Sequence, residues 1–475
     1  MTTVSTLSDA VRAMSDGSVT SAELVEHAIA VADAHDEATG MFITRFSDQA
    51  RQAARKADAE RASGQAVGPL HGIPLGVKDI ITTAEAPSTA QSLILDPAWS
   101  HGDAVVVQRL RAAGAIVMGK LTTMEFAIGA PDFSKPFPIP RNPWNLEHWA
   151  GGSSSGSGSS VAAGAVLGAL GTDTGGSIRI PAAFCGISGL MPTFGRVPKS
   201  GCVPLGYSLD HIGPMARSAR DCALMLNALA GRHPSDPTTL DVAVDDYVTG
   251  LTGDLTGLRV GVDRLGRFAG DAEDPSLPAL WNAALDALAS QGAEIIEMEV
   301  PHYEEMTIAD MVIMLSEALA YHRGDLSQRW YEYFQATRTT IGAGVFYGAA
   351  DYVQAQRCRR VGQRALADAY EDVDVIITPT CSTAAPSFSG VNGMVKGLAS
   401  GSIGAMNTGY WDTTGNPVLS VPIGFNGSGL PMAMQIAGRP FDEAAVLRVG
   451  DAYQQSTDWH LRTPTMPEAM SEVPA

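Results

Sequence analysis

Residues 151–160 read GGSSSGSGSS, and the chain runs from there through VAAGAVLGAL (161–170) into GTDTGGSIRIPAAFCGISGLMPT (171–193). Taken alone, the first ten residues have the composition of a flexible linker. Their surroundings argue otherwise. A linker joins domains, whereas this run is embedded between dense apolar and Gly-rich segments with no change of composition beyond it. The piece GTDTGGSIR (171–179) reads as a tight loop. Gly175 and Gly176 permit positive φ and clear side chains from the approach path. Successive N–H groups from Thr174 through Gly175, Gly176 and Ser177 then converge on one point. Such a concavity suits an anion, including the oxyanion of a tetrahedral intermediate, with the Ser177 hydroxyl beside it. A phosphate loop needs a lysine after its last glycine. Here Ser177 and Ile178 follow Gly176, which argues against nucleotide binding.

A serine nucleophile needs a base. The serines of 153–160 lack the strand–elbow–helix context of a GxSxG nucleophile, and no histidine lies nearby in a recognised local arrangement. His71, His101, His148 and His211 keep a Ser/His/Asp esterase open as a rival. A lysine serves instead if burial disfavours its ammonium. Lys78 stands in GIPLGVKDI (72–80), flanked by apolar Val77 and Ile80. Adjacent residues of an extended segment point to opposite faces, so Asp79 is expected not to neutralise Lys78.

GIPLGVKD, GGSSSGS and GTDTGGSIRIP, together with NPWN (142–145), DHIGPMARSARD (210–221), TGNPVLSVPIG (414–424) and GLPMAMQIAGRPFDE (429–443), resemble in content and order the amidase signature family. The resemblance covers most of the chain. It implies an α/β fold: a central mixed, mostly parallel β-sheet surrounded by helices. It also implies a Ser–cis-Ser–Lys triad of amide hydrolysis, with Ser177 as nucleophile, Ser153 as bridging serine after a cis Gly152–Ser153 peptide, and Lys78 as ultimate base. Ser154, Asp173 and Arg179 are then supporting residues, and neither a metal nor an organic cofactor is required. The expected domain organisation is a single unit over 1–475, with a catalytic core at 70–220 and a helical cap over the site within 266–352.

The remaining sequence agrees with a compact α/β enzyme. Of its 475 residues 45% are apolar, enough for a large core. The net charge of −19, without a basic run, disfavours nucleic acid and anionic membranes as partners. Five widely spaced cysteines without a CxxC argue against a disulfide framework or structural zinc. No basic-then-apolar leader opens the chain, and no stretch is apolar for long enough to span a bilayer. A cytoplasmic protein is expected, and homodimers are common among such enzymes. Thr20 and Glu23 have capping-box spacing before an amphipathic run. Asp103 is expected to cap a helix reaching about residue 113, with Gly114 ending it before a strand at 115–118. Strands are also expected at 258–262, 293–300 and 373–378, with a helix at 275–291. Segments 131–143 and 382–396 read as loops.

The expected substrate is a small amide or carbamate (urethane), an aryl or alkyl amide being favoured over a strongly charged one, with ester turnover as a side activity. Phe126, Ile128, Gly129, Phe133, Phe137 and Trp144 are candidate walls of its pocket. Trp330, Tyr331, Tyr333, Phe334 and Phe346 are candidates from the cap. The alternative is the glutamine-hydrolysing A subunit of a tRNA amidotransferase. That subunit is expected to carry an Asp about seven positions before the residue matching Asp412, where this chain has Ala405.

Overall fold

In a computed structural model of the protein, residues 4–65, 68–99, 102–269, 273–391 and 405–466 are described. Thirteen strands form: β1 (Phe42–Arg45), β2 (Pro74–Lys78), β3 (Ile116–Leu121), β4 (Arg141–Asn142), β5 (Asn145–Trp149), β6 (Gly168–Asp173), β7 (Ser188–Met191), β8 (His211–Ala216), β9 (Arg259–Val262), β10 (Glu294–Glu297), β11 (Val375–Pro379), β12 (Val418–Phe425) and β13 (Pro431–Gly438). All but β4 and β5 join one mixed sheet in the order β1-β3-β2-β6-β8-β7-β12-β13-β11-β9-β10. Parallel pairing gathers at the flanks, in β3-β2-β6 and β11-β9-β10. There helices cross between strands, as parallel connections require. The middle, β6-β8-β7-β12-β13-β11, is antiparallel. Strands β2, β3, β6, β7, β8, β11 and β13 are buried at every residue, as for a sheet covered on both faces.

Local signals place most elements within a few residues. The Thr20–Glu23 capping box opens the helix Ser21–Thr39. The expected strand at 115–118 runs on to Leu121, and Gly292 follows the helix Leu277–Ser290 with φ +96°. Asp103 is a correction. The helix there is Val105–Ala112 with no side-chain cap. Asp103 instead accepts from Ala84 N–H and Arg111 Nε, at 2.8 and 2.9 Å, because a cation further along the helix competes for its carboxylate. The loop expected at 382–396 lies partly outside the described residues.

The Gly/Ser run is not a linker. From Ser155 it is a helix (Ser155–Ala163), buried along its first eight residues. Its small side chains allow it to press against the ends of β1 and β3. A Cβ on Gly156 would stand 2.4 Å from Met41 O and 2.5 Å from Thr122 N. The segment around Asp79 shows a second buried device. Lys120 on β3 pairs with Asp79 at 3.0 Å, both fully buried, and donates to Ile81 O and Ser88 Oγ at 2.7 and 2.6 Å. Asp79 also accepts from Thr89 N–H at 2.9 Å. Asp79 thus turns away from Lys78 and stitches the loop after β2 to β3.

The earlier part of 266–352 belongs to the sheet edge rather than to a cover. The helix Leu277–Ser290 and β10 extend the sheet beside β9. Only from Tyr303 onward do helices Tyr303–Arg329 and Gln335–Gly342 reach the site, with Ala349–Ala369 packed behind them.

Removing one partner of a fully buried ion pair strands the other. Lys120→Met is expected to lower unfolding stability by about 3–5 kcal/mol, and adding Asp79→Asn is expected to recover part of the loss. Denaturant titration showing Lys120→Met as stable as the parent would contradict this.

Candidate active site

Three consecutive structural choices put Lys78 where it is. It is the last residue of β2, so its side chain leaves the sheet at a strand end. The neighbouring β6 ends at Thr172 and Asp173, and the loop before the Ser155 helix crosses above both. Lys78 Nζ therefore meets three hydroxyls: Ser153 Oγ at 2.7 Å, Ser154 Oγ at 3.0 Å and Thr172 Oγ1 at 2.7 Å. It is fully buried, and among the described residues it bonds to no carboxylate. Burial pushes its pKa down to about 7, against a smaller upward pull from Cys202, Asp173 and Asp210.

The hydroxyls around it have assigned duties. Ser154 donates to Thr172 O at 3.2 Å and accepts from Thr172 N–H at 3.1 Å, so toward Lys78 it can only accept. A neutral lysine has two N–H donors and one lone pair. With one donor spent on Ser154, the lone pair is available to the hydroxyl of Ser153 or Thr172. Thr172 is absent from the residues singled out in the sequence, since nothing in GTDTGGS marks its side chain as a lysine partner.

The Gly152–Ser153 peptide is cis. Ser154 N–H donates to Ser177 O at 3.1 Å, which ties the two serine loops together. Ser153 and Ser177 line the same cavity. Ser177 Oγ makes no hydrogen bond among the described residues, so the contact between the two hydroxyls is open in the free protein. Such links often tighten only with substrate present.

The loop carrying Ser177 is held from below. Asp173, at the end of β6, accepts from Gly176 N–H at 2.5 Å and Ile178 N–H at 3.1 Å. Gly176 therefore differs from its expected role, because its N–H is occupied by Asp173. Thr174, Gly175 and Ser177 are the donors of this turn not tied to that carboxylate. Gly176 alone of the two glycines has positive φ, +125°, and a Cβ there would lie 2.1 Å from Thr408 Oγ1. Arg179, fully buried, binds Asp173 Oδ2 at 2.9 Å, Asp412 Oδ2 at 2.5 Å, and Thr408 O and Gln435 Oε1 at 3.0 Å each. Burial opposes the guanidinium charge, but the two carboxylates outweigh it and hold the pKa above the ordinary value. Asp412, in the sequence no more than a register mark, is thus a structural partner of the loop.

No histidine among the described residues lines the cavity. His211 sits behind Asp173, and burial keeps it neutral, with its pKa down to about 3. His71 lies by Ala57 O, and His148 bridges to Ser387. His101 lies outside the described residues.

Of the candidate walls, Ile128 and Gly129 line the cavity. Phe126, Phe133 and Trp144 do not, and this corrects the expectation. Phe126 packs on His322 and Tyr333, and Phe133 is 60% exposed against Phe388. Trp144 donates to Cys185 O at 2.8 Å and packs on Phe425. Phe137 meets Phe334 instead of the cavity. Trp330, Tyr331 and Phe346 are exposed, while Tyr333 and Phe334 are buried elsewhere. The wall is built instead from Met124, Trp149 and Ile180 together with Asp310, Met311, Met314, Leu315 and Thr340. No lysine or arginine lines it among the described residues.

Gly176→Ala is expected to drop turnover at least about a hundredfold, by displacing the N–H groups beside Ser177. Steady-state rates of a folded Gly176→Ala protein equal to the parent would contradict this assignment of the loop.

Among the described residues no helix is long and apolar enough to cross a membrane, and no group of three or more His, Cys, Asp or Glu is placed to hold a metal ion. The family model described as Amidase matches residues 23–447. The glutamyl-tRNA(Gln) amidotransferase A subunit from Roseiflexus sp. (strain RS-1) is 42% identical over 97% of this chain and 98% of its own. Among solved structures, one described as "An unexpected vestigial protein complex reveals the evolutionary origins of an s-triazine catabolic enzyme" superposes with a TM-score of 0.86 and 32% identity, over 98% of this chain and 100% of that one. The peptide amidase of Stenotrophomonas maltophilia gives 0.81 and 29%, over 98% and 99%. With a lysine–serine–serine constellation at the site and the family model spanning nearly its whole length, the chain belongs to the amidase family, the amidase signature enzymes that hydrolyse C–N bonds.

Proposed function

We propose that the protein hydrolyses a carboxylic amide through an acyl-enzyme on Ser177. The observation that carries this is the buried Lys78, poised near pH 7 and bonded to Ser153 on the wall that Ser177 shares. Above about pH 7 Lys78 is neutral and accepts a proton from Ser153, which takes one from Ser177. Ser177 Oγ attacks the carbonyl carbon, and N–H groups of Thr174, Gly175 and Ser177 receive the oxyanion. One such donor is worth about 3 kcal/mol. The proton on Ser153 then passes to the leaving nitrogen, the C–N bond breaks, and water cleaves the ester by the reverse relay. Below that pH Lys78 holds its proton and the relay stalls, so the rate falls with acidification. Ser154, Asp173 and Arg179 act by holding the loops.

Two readings of the substrate have support. Kinship favours glutamine over an aryl amide or carbamate, since the Roseiflexus relative, 42% identical, is an amidotransferase A subunit. Another polypeptide of such an assembly would then be this chain's partner. The cavity favours the other reading. A free amino acid brings a carboxylate, and burying one without a cation costs several kcal/mol. No lysine or arginine lines the cavity among the described residues, and Ala405 stands where an Asp for glutamine's amino group is expected. On this geometry the substrate is an alkyl or aryl amide without a free carboxylate.

Amine release from benzamide, an anilide, a short aliphatic amide, an aryl carbamate and glutamine tests both. The expected result is turnover of a carboxylate-free amide faster than glutamine, with Ser177→Ala, Ser153→Ala and Lys78→Ala each reducing it about a thousandfold or more. Cleavage of glutamine alone would establish the first reading and overturn the second. Near-parental rates for Lys78→Ala would overturn the relay.

A further inference from the structure

Among the described residues the cavity wall carries one carboxyl group, and the hydrolytic relay does not use it. Asp310 lies on the helix Tyr303–Arg329, is 4% exposed, and lines the cavity among Met311, Met314 and Thr307. Its Oδ1 accepts from Thr413 Oγ1 at 3.3 Å. Its Oδ2 has no hydrogen-bond partner among the described residues. That oxygen points at the nucleophile loop: a Cβ on Gly175 would stand 3.2 Å from it, and one on Gly409 3.1 Å. Both positions are glycine, so the carboxyl group has an unobstructed place between the loop of Ser177 and the helix Gly409–Thr414.

A carboxyl oxygen with no protein partner on a mostly apolar cavity wall offers a bound molecule a polar group to pair with. Anchoring the helix to Thr413 would use Oδ1 alone. Burial pushes the Asp310 carboxyl well above the ordinary carboxylate range, although Arg179 and Arg359 pull it the other way. It therefore holds its proton more readily than an exposed carboxyl does. An amine or ammonium placed beside it pairs with the carboxyl through a charge-assisted hydrogen bond.

We infer that Asp310 Oδ2 is the cavity's recognition point for a nitrogen donor, so that the preferred substrates are amides bearing an amine near the scissile carbonyl and no carboxylate. This rests on the reading of the cavity as an amide site. An amino-acid amide has that chemistry. A free amino acid does not, since its carboxylate would face the Asp310 carboxyl and the methionines on a wall that no lysine or arginine lines among the described residues.

The test compares L-leucinamide with 4-methylpentanamide, which differs only by lacking the amine, and with L-leucine. Binding is measured by calorimetry to Ser177→Ala, so that no turnover intrudes. Leucinamide is expected to bind about tenfold or more tighter than either of the others, the size of a charge-assisted hydrogen bond. In Ser177→Ala/Asp310→Asn the preference for leucinamide over 4-methylpentanamide is expected to shrink to within about threefold. Asn keeps the shape and the contact to Thr413, so a merely structural Asp310 would leave the preference intact. Equal affinities for the first pair, or a preference that survives Asp310→Asn, would overturn the inference. Failure of the parent protein to hydrolyse any amide would instead overturn the proposed function, and the affinity ratio would still stand or fall alone.

Discussion

Everything at this site depends on a lysine taken out of water and given only hydroxyls. Lys78 meets Ser153, Ser154 and Thr172 and, among the described residues, no carboxylate. An ammonium buried without a counter-charge loses solvation that hydroxyls do not replace, so the neutral amine becomes accessible near neutral pH. The neighbouring Asp79 would destroy this balance if it turned inward. Strand geometry sends it to the other side, where Lys120 occupies it. Burial lowers the pKa of both lysines, and they differ in the carboxylate beside Lys120, which pulls its pKa back up.

Arg179 shows the opposite treatment elsewhere in the same site. Asp173 and Asp412 surround it, and its guanidinium stays charged. Arginine suits that task because it does not deprotonate and its planar fork serves several acceptors at once. Here it links Asp173 at the end of β6 to the helix Gly409–Thr414 and to Gln435 on β13. The turn bearing Ser177 is thus fastened to the antiparallel middle of the sheet, while Lys78 reaches it from the parallel flank. The serine loop 151–154 closes the gap between them. The mobile proton belongs to Lys78 and the serines, and the fixed charge to Arg179 and Asp173.

Much of this is legible in the residues. Short-range signals such as Thr20–Glu23 and Gly292 mark element ends because their causes are local. Lys78, Ser153 and Ser177 stand out because their motifs occur together in family order. The cavity wall is not legible. Aromatic residues draw the eye by size and by proximity in sequence, yet Phe126, Phe133 and Trp144 satisfy other partners, whereas Met311, Met314 and Asp310 come from a helix far downstream. Nothing periodic distinguishes a methionine facing a cavity from one facing a core. The cap expected at Asp103 fails for a similar reason, since Arg111 and Ala84 compete for the same carboxylate only once the chain has folded. The backbone requirement at Gly176 is visible in the sequence, but the capture of its N–H by Asp173 is not.

The account stands on Lys78 being neutral over much of the physiological range, and the most direct measurement is its own titration. Heteronuclear NMR of the lysine side-chain nitrogens, with Lys78→Met to assign the resonance, follows its protonation in the resting protein. The predicted midpoint is about pH 7. A midpoint near the ordinary lysine value of about 10.4 would mean that Lys78 is an ammonium at neutral pH, and the proton relay through Ser153 would have no base.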